Sequence, residues 1–190
     1  MRQLTTATIL GLLALSPIAH AQTTGRGASP WYVGAGAGQV SIEGAGGSAA
    51  GYKLFVGADF NRFLGMEVGY INAGSESLSE YDPYTGISAY ASGSTNAAQL
   101  SLIGKLPLGQ YFDLFGRVDG IYWSQNASAV AYDSYGDSAG LTVTQTGTSF
   151  GWGAGGEATF GHFGVRAEFE QSNIDSNTYR LVSGSFIYHF

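Results

Sequence analysis

Cysteine is absent from the 190-residue chain. That excludes a disulfide framework, a lipid anchor on a cysteine and any thiolate metal centre. Charge is scarce too. Asp, Glu, Lys and Arg together make up 12% of the residues, about half the usual share. A water-soluble domain this poor in charge has little to keep its copies apart. The formal charge of -6 leaves too few basic residues for nucleic acid, which is not an expected partner. Also missing, beyond the first 21 residues, is any apolar run long enough to cross a bilayer as a helix, which takes about 20 residues.

What the chain has instead is 30 glycines, 14% aromatic residues and a mean hydropathy of +0.04. Its first residues form a recognisable address. Arg2 precedes the apolar stretch ATILGLLALSPI, and Ala19-His20-Ala21 follows as a small-x-small cleavage pattern. The expectation is a signal peptide over residues 1–21, cut after Ala21. A short linker would occupy 22–29 and a barrel domain 30–190. The bland alternative is a buried N-terminal helix.

From Pro30 onward the hydrophobic period is two, not 3.6. Strands are expected at about 31–40, 52–60, 64–71, 97–106, 111–123, 149–160, 163–171 and 179–190. Short turns separate them at 61–62, 107–110 and 161–162. Long polar stretches fall at 41–51, 72–96 and 124–148, with a shorter link at 172–178. Short turns at one end and long loops at the other predict an all-β fold, an eight-stranded antiparallel up-and-down transmembrane β-barrel. In such a barrel the two faces of every strand average to middling hydropathy.

Parity sharpens the expectation, because side chains along a strand alternate faces. One set per strand is free of charge, for example Leu64, Met66, Val68 and Tyr70, or Phe163, Val165, Ala167 and Phe169. The opposite set collects Lys53, Asp59, Glu67, Lys105, Arg117, Asp119, Glu157, Arg166, Glu168 and Glu170. A cation facing mid-bilayer hydrocarbon costs about 2–4 kcal/mol, so this sorting is what lipid enforces. A water-soluble barrel would sort the other way. Aromatics gather at strand ends as well. Trp31, Phe60, Phe112, Phe160, Phe163, Tyr188 and Phe190 would form a periplasmic girdle, and Tyr52, Tyr70, Tyr122, Phe150 and Trp152 an outer one.

Several segments resemble the OmpA-like membrane-spanning family of small outer-membrane barrels. They are Trp31 to Ala35, Gly57 to Tyr70 (GADFNRFLGMEVGY), Gly153 to Glu157, Val165 to Phe169 and the end FIYHF. The resemblance implies outer-membrane lipid and lipopolysaccharide as surroundings. It also implies a C-terminal signal for the barrel-assembly machinery at Phe186, Tyr188 and Phe190. It places the family's interior ion-pair cluster on Glu67, Glu157, Arg117 and Arg166. The family's interior lysine falls on Ile103, with Lys105, two residues on, as the available substitute.

The interior charges are expected to form a structural ion-pair network rather than a conducting path. Catalysis is not expected. Past residue 21 the chain has two histidines, His162 and His189, and both fall at the periplasmic end. No cofactor or metal is expected either. Gly151 to Gly156 matches G-x-G-x-x-G, but a strand continues where a dinucleotide site needs a helix. Small residues there are expected to make room for interior side chains. The motifs EYDPYTG (80–86) and AYDSYGD (131–137) are alike in kind, and loops 72–96 and 124–148 could meet a surface ligand. The resulting expectation is a structural, surface-exposed, non-enzymatic barrel. The alternatives are a loop-mediated adhesin or host-factor binder, a narrow pore, and last a lipid-modifying enzyme.

Overall fold

Alternating runs of this kind can bury all of their backbone polar groups beside lipid only by closing on themselves. The computed structural model describes residues 29–43, 48–82, 87–132, 138–174 and 177–190, and within them the chain does close. The strands are β1 (Trp31–Ile42), β2 (Ser48–Asp59), β3 (Leu64–Asp82), β4 (Ile87–Pro107), β5 (Phe112–Tyr132), β6 (Ser138–Phe160), β7 (Phe163–Ile174) and β8 (Asn177–His189). Each pairs antiparallel with its sequence neighbours, and β1 pairs with β8 from Tyr32↔His189 to Ile42↔Tyr179. The expected signal peptide, its cut after Ala21 and most of the linker lie outside the described residues.

The short turns are held locally. Asn61 Oδ1 accepts from the backbone N–H groups of Phe63 (2.8 Å) and Leu64 (3.0 Å), which caps the β2–β3 turn. Gly161 takes φ +62° in the β6–β7 turn, a conformation that suits glycine.

The long polar stretches at 72–96 and 124–148 depart from expectation. They are mostly strand rather than loop. β3, β4, β5 and β6 run for 19, 21, 21 and 23 residues, whereas about 9–11 tilted residues cross a bilayer. β2 pairs with β3 only as far as Asn72, and β7 pairs with β6 only up to Gly151. Above those points β3–β6 continue as a four-stranded sheet standing clear of the barrel. Outside hydrocarbon nothing enforces an apolar face, so these strands carry Ser, Thr, Ala, Gly and Asn and read as loop. The tip motifs lie largely beyond the described residues, although the backbone at 80–82 belongs to β3 and at 131–132 to β5.

A bulge marks the point where β3 leaves β2. The β3–β4 register shifts between Asn72 and Ser75. Gly74 adopts φ +84°, and its N–H donates to Asn72 Oδ1 at 3.0 Å. A side chain at Gly74 would run into the Ala50 carbonyl. The extra residue shifts parity, so Ser75 and Ser79, opposite Ser94 and Tyr90, continue the outward row.

Leu100, Val118, Val182 and Phe186 are among the large apolar side chains standing on the outer wall, more than half exposed. Both sets of girdle aromatics are on that wall. Inside, side chains fill the lumen, as eight strands require. The G-x-G-x-x-G run has its role here. A Cβ at Gly151 would stand 3.0 Å from Ile121 Cδ1, one at Gly153 3.0 Å from Arg117 Cγ, and one at Gly155 2.6 Å from the Phe115 ring. Each of these glycines leaves room for an inward side chain of a neighbouring strand.

Candidate functional site

The barrel interior is built around two arginines. Arg166 on β7 spans two carboxylates, with Nη1 2.5 Å from Glu67 Oε1 and Nη2 2.8 Å from Glu157 Oε2. Its guanidinium lies 4.9 Å from the ring centres of both Phe55 and Phe115, so aromatic faces cover what the carboxylates leave. Arg117 on β5 is the second hub. Its Nη1 is shared by Glu67 (3.2 Å) and Glu168 (3.1 Å), its Nε meets Asp119 (2.9 Å), and its Nη2 donates to Ser101. Tyr32 donates its hydroxyl to Glu67 at 2.9 Å. Glu67 thus joins both arginines and β1.

Lysines complete the network at its two ends. On the outer side Lys53 bridges Glu168 (2.9 Å) and Glu170 (2.6 Å), and Gln99 donates to Glu170 at 2.7 Å. On the periplasmic side Lys105 pairs with Asp59 at 2.6 Å. Lys105 therefore takes its ion pair at the rim, with its Nζ 5.1 Å from the ring centre of Tyr32, the residue that bonds Glu67. Ile103, at the family's lysine position, is fully buried.

All ten ionised residues singled out in the sequence are on the inner side, and nine of them are buried, Asp59 being half-buried at the rim. Asp113 was missed and is equally buried, at 2% exposure. Its position between outward-facing Phe112 and Leu114 was the available signal. Gln99, Ser101, Thr159, Ser183 and His189 also belong to the buried polar interior. A neutral polar residue leaves no charge pattern by which to find it.

An apolar layer closes the outer end of this core. Ala97, Ile121, Trp123 and Ile174 pack together with Ile71 and Tyr179 against them. Beside them a cavity of about 50 Å³ is lined mostly by apolar residues, with Glu170 at one side and Arg180 at another. That volume suits water, not a substrate.

Neither histidine is set up for chemistry. His162 Nδ1 bonds to the His189 carbonyl at 2.8 Å, and His189 Nε2 stands 3.3 Å from Glu157 Oε1. Both are contacts of the periplasmic rim, far from an outer-leaflet substrate. Among the described residues no three of His, Asp and Glu gather as a metal site.

A closed barrel with hydrocarbon-facing side chains outside and paired ions inside is the architecture of the small barrels of the bacterial outer membrane. The family described as outer membrane protein beta-barrel domain matches residues 6–190, and the chain belongs to it. Among curated proteins none matches. Solved structures show the same fold. Ail, the attachment invasion locus protein of Yersinia pestis in complex with the heparin analogue sucrose octasulfate, is 18% identical with a TM-score of 0.51, over 85% of this chain and 97% of that one. Neisserial surface protein A is 19% identical with a TM-score of 0.53, over 85% and 98%.

Proposed function

We propose that this barrel is a surface-exposed binder whose working part is the sheet raised above the membrane by β3–β6. The observation that carries the reading is that elevation. Four strands continue for about ten residues each past the span a bilayer needs, and the sheet they form has open edges. Among the described residues, β6 pairs only with β5 from Ser138 to Phe150. That edge holds no charge and no proline, so its backbone groups are free to pair with an extended segment of a partner. The ten interior ions act structurally in this reading, holding the barrel as a rigid base.

The chemistry of the partner differs from that bound to Ail. Residues 72–96 and 124–148 hold Glu76, Glu80, Asp82, Asp133 and Asp137 and no Lys or Arg. A sulfated polyanion would find no cation there to pair with. A protein surface or an unpaired strand fits better. Purified barrel is expected to bind host cells or matrix protein, to lose that binding when residues 75–92 are deleted, and to ignore heparin. Binding that survives the deletion, or that heparin displaces, overturns the proposal.

Export fits the same picture. The N-terminal segment acts as a signal peptide cut after Ala21, and N-terminal sequencing of protein from outer membranes should begin at Gln22. A start at Met1 would refute this. Phe186, Tyr188 and Phe190 serve as the assembly signal. Their rings stand on the lipid-facing side of β8 and the terminus, with Tyr188 and Phe190 edge to face at 5.3 Å.

A further inference from the structure

Above the hydrocarbon belt the raised sheet has two free edges among the described residues, and they differ. The β3 edge is guarded. It begins at the Gly74 bulge, and Glu76, Glu80 and Asp82 follow along it. Bulges and charged residues keep sheet edges from pairing. The β6 edge has no such guard. Residues 138–148 read SAGLTVTQTGT, without charge, proline or bulge. Thr159 donates its N–H to the Tyr111 carbonyl, and the β5–β6 register is unbroken from Phe112↔Ala158 to Tyr132↔Ser138. Odd-numbered residues of β6 therefore turn their backbone groups to β5. Ser138, Gly140, Thr142, Thr144 and Thr146 turn theirs to the open side. Two apolar side chains stand beside that edge. Leu141 is 68% exposed and Val143 43%, opposite only Ala129 and Ala127 on β5.

We infer that the extended segment this edge takes is the same edge of a second copy, carried by a facing membrane. The inference rests on the reading of the raised sheet as the working part, and it names the partner. Symmetry and pattern lead there. An antiparallel pair of identical strands has a two-fold axis, so one edge is its own complement. With the axis at Thr142, Leu141 lies across from Val143 of the second copy, and Val143 across from its Leu141. That register covers both exposed apolar side chains and pairs residues 138–146. Centring on Val143 or Thr144 sets Leu141 against Gln145 or Gly147, and centring on Leu141 shortens the overlap. Direction decides where the second copy sits. β6 runs down toward the membrane in every copy. Neighbours in one membrane would align these edges parallel, with slanted hydrogen bonds and no two-fold. Copies in opposed membranes meet antiparallel. Charge agrees. A formal charge of -6 makes whole copies repel, and the β6 edge is where they meet without opposing carboxylates.

The test places the barrel in lipid vesicles with the raised sheet outward, in two populations labelled with different dyes. Energy transfer between the dyes reads their aggregation. Vesicles carrying the parent barrel should aggregate, and empty vesicles should not. Thr142→Pro removes an edge N–H and leaves the β5 ladder alone. Checked for heat-modifiable gel mobility, so that a folded barrel is being read, it should lose the aggregation. The chain has no cysteine, so a single introduced one is an unambiguous probe. Under mild oxidation Thr142→Cys should link copies from the two populations, because the paired Cα atoms would stand about 5.5 Å apart, within disulfide reach. Thr144→Cys, offset from its mate by four residues or about 14 Å, should not. Vesicles that stay dispersed while the barrel still binds host cells overturn the inference and leave the surface-binder reading in place. Equal cross-linking at the two positions overturns it as well, as does aggregation that persists in Thr142→Pro.

Discussion

Replacing Arg166 with methionine is expected to destabilise the barrel by about 3–5 kcal/mol, because it leaves the buried Glu157 carboxylate without its arginine and Glu67 with Arg117 alone among the arginines. Glu67 and Glu157 both take a short contact from this guanidinium, and both are about 1% exposed. Methionine fills much of the space between the Phe55 and Phe115 rings but neutralises nothing. The loss should appear as a lowered denaturant midpoint for barrel folded into lipid vesicles, followed by gel mobility. The triple variant Glu67→Gln/Glu157→Gln/Arg166→Met separates two meanings of that loss. If the damage comes from orphaned charge, removing the charge should recover most of it, since a buried ion group replaced as a whole is often neutral. A single variant within about 1 kcal/mol of the parent would mean that the network is solvated and not a core.

The second large effect concerns the opposite side of the wall. Val118 lies midway along the lipid-facing run of β5 and is 60% exposed, between Leu102 and Trp152 on the adjoining strands. Val118→Arg should cost about 2–4 kcal/mol, the depth-dependent penalty for a cation at the bilayer midplane. Thr146→Arg, on the same outward parity of β6 but above the belt, should cost about 0–1 kcal/mol. Both residues are exposed, so a water-soluble barrel would accept arginine at either. Equal costs at the two heights would remove the membrane from the account. The same assay serves, and the comparison of heights carries the conclusion.

Much of the fold can be read from the chain because two solvents act on it. Within the bilayer-spanning part of each strand hydrocarbon demands an apolar residue at every second position. The alternation it leaves exposes eight strands and the side of each residue. Where that demand stops, legibility stops. β6 from Ser138 to Thr148 reads SAGLTVTQTGT, a stretch with water on both faces and no contrast between them. The bulge at Asn72 and Ser75 is silent for a related reason, since one extra residue in a polar stretch alters no pattern that hydropathy can show. Within the lumen, parity assigns Lys53 or Lys105 to a face but not to a partner. Partners follow from strand register and from neutral groups such as Tyr32 and Gln99, and neither carries a mark in the sequence.

The seam between β1 and β8 has a consequence for assembly order. Seven of the eight pairings join strands adjacent along the chain, and the eighth joins Tyr32 to His189. Until that last zipper forms, an inserted ribbon would hold Arg166, Glu67 and Glu157 beside an open flank, with acyl chains free to enter. A ribbon still in the periplasm would offer its leucines and phenylalanines to water. Neither solvent favours the half-built state, so closing the seam is coupled to bringing Glu67 on β3 against Arg166 on β7, whereas Glu157 and Arg166 already face each other on adjoining strands.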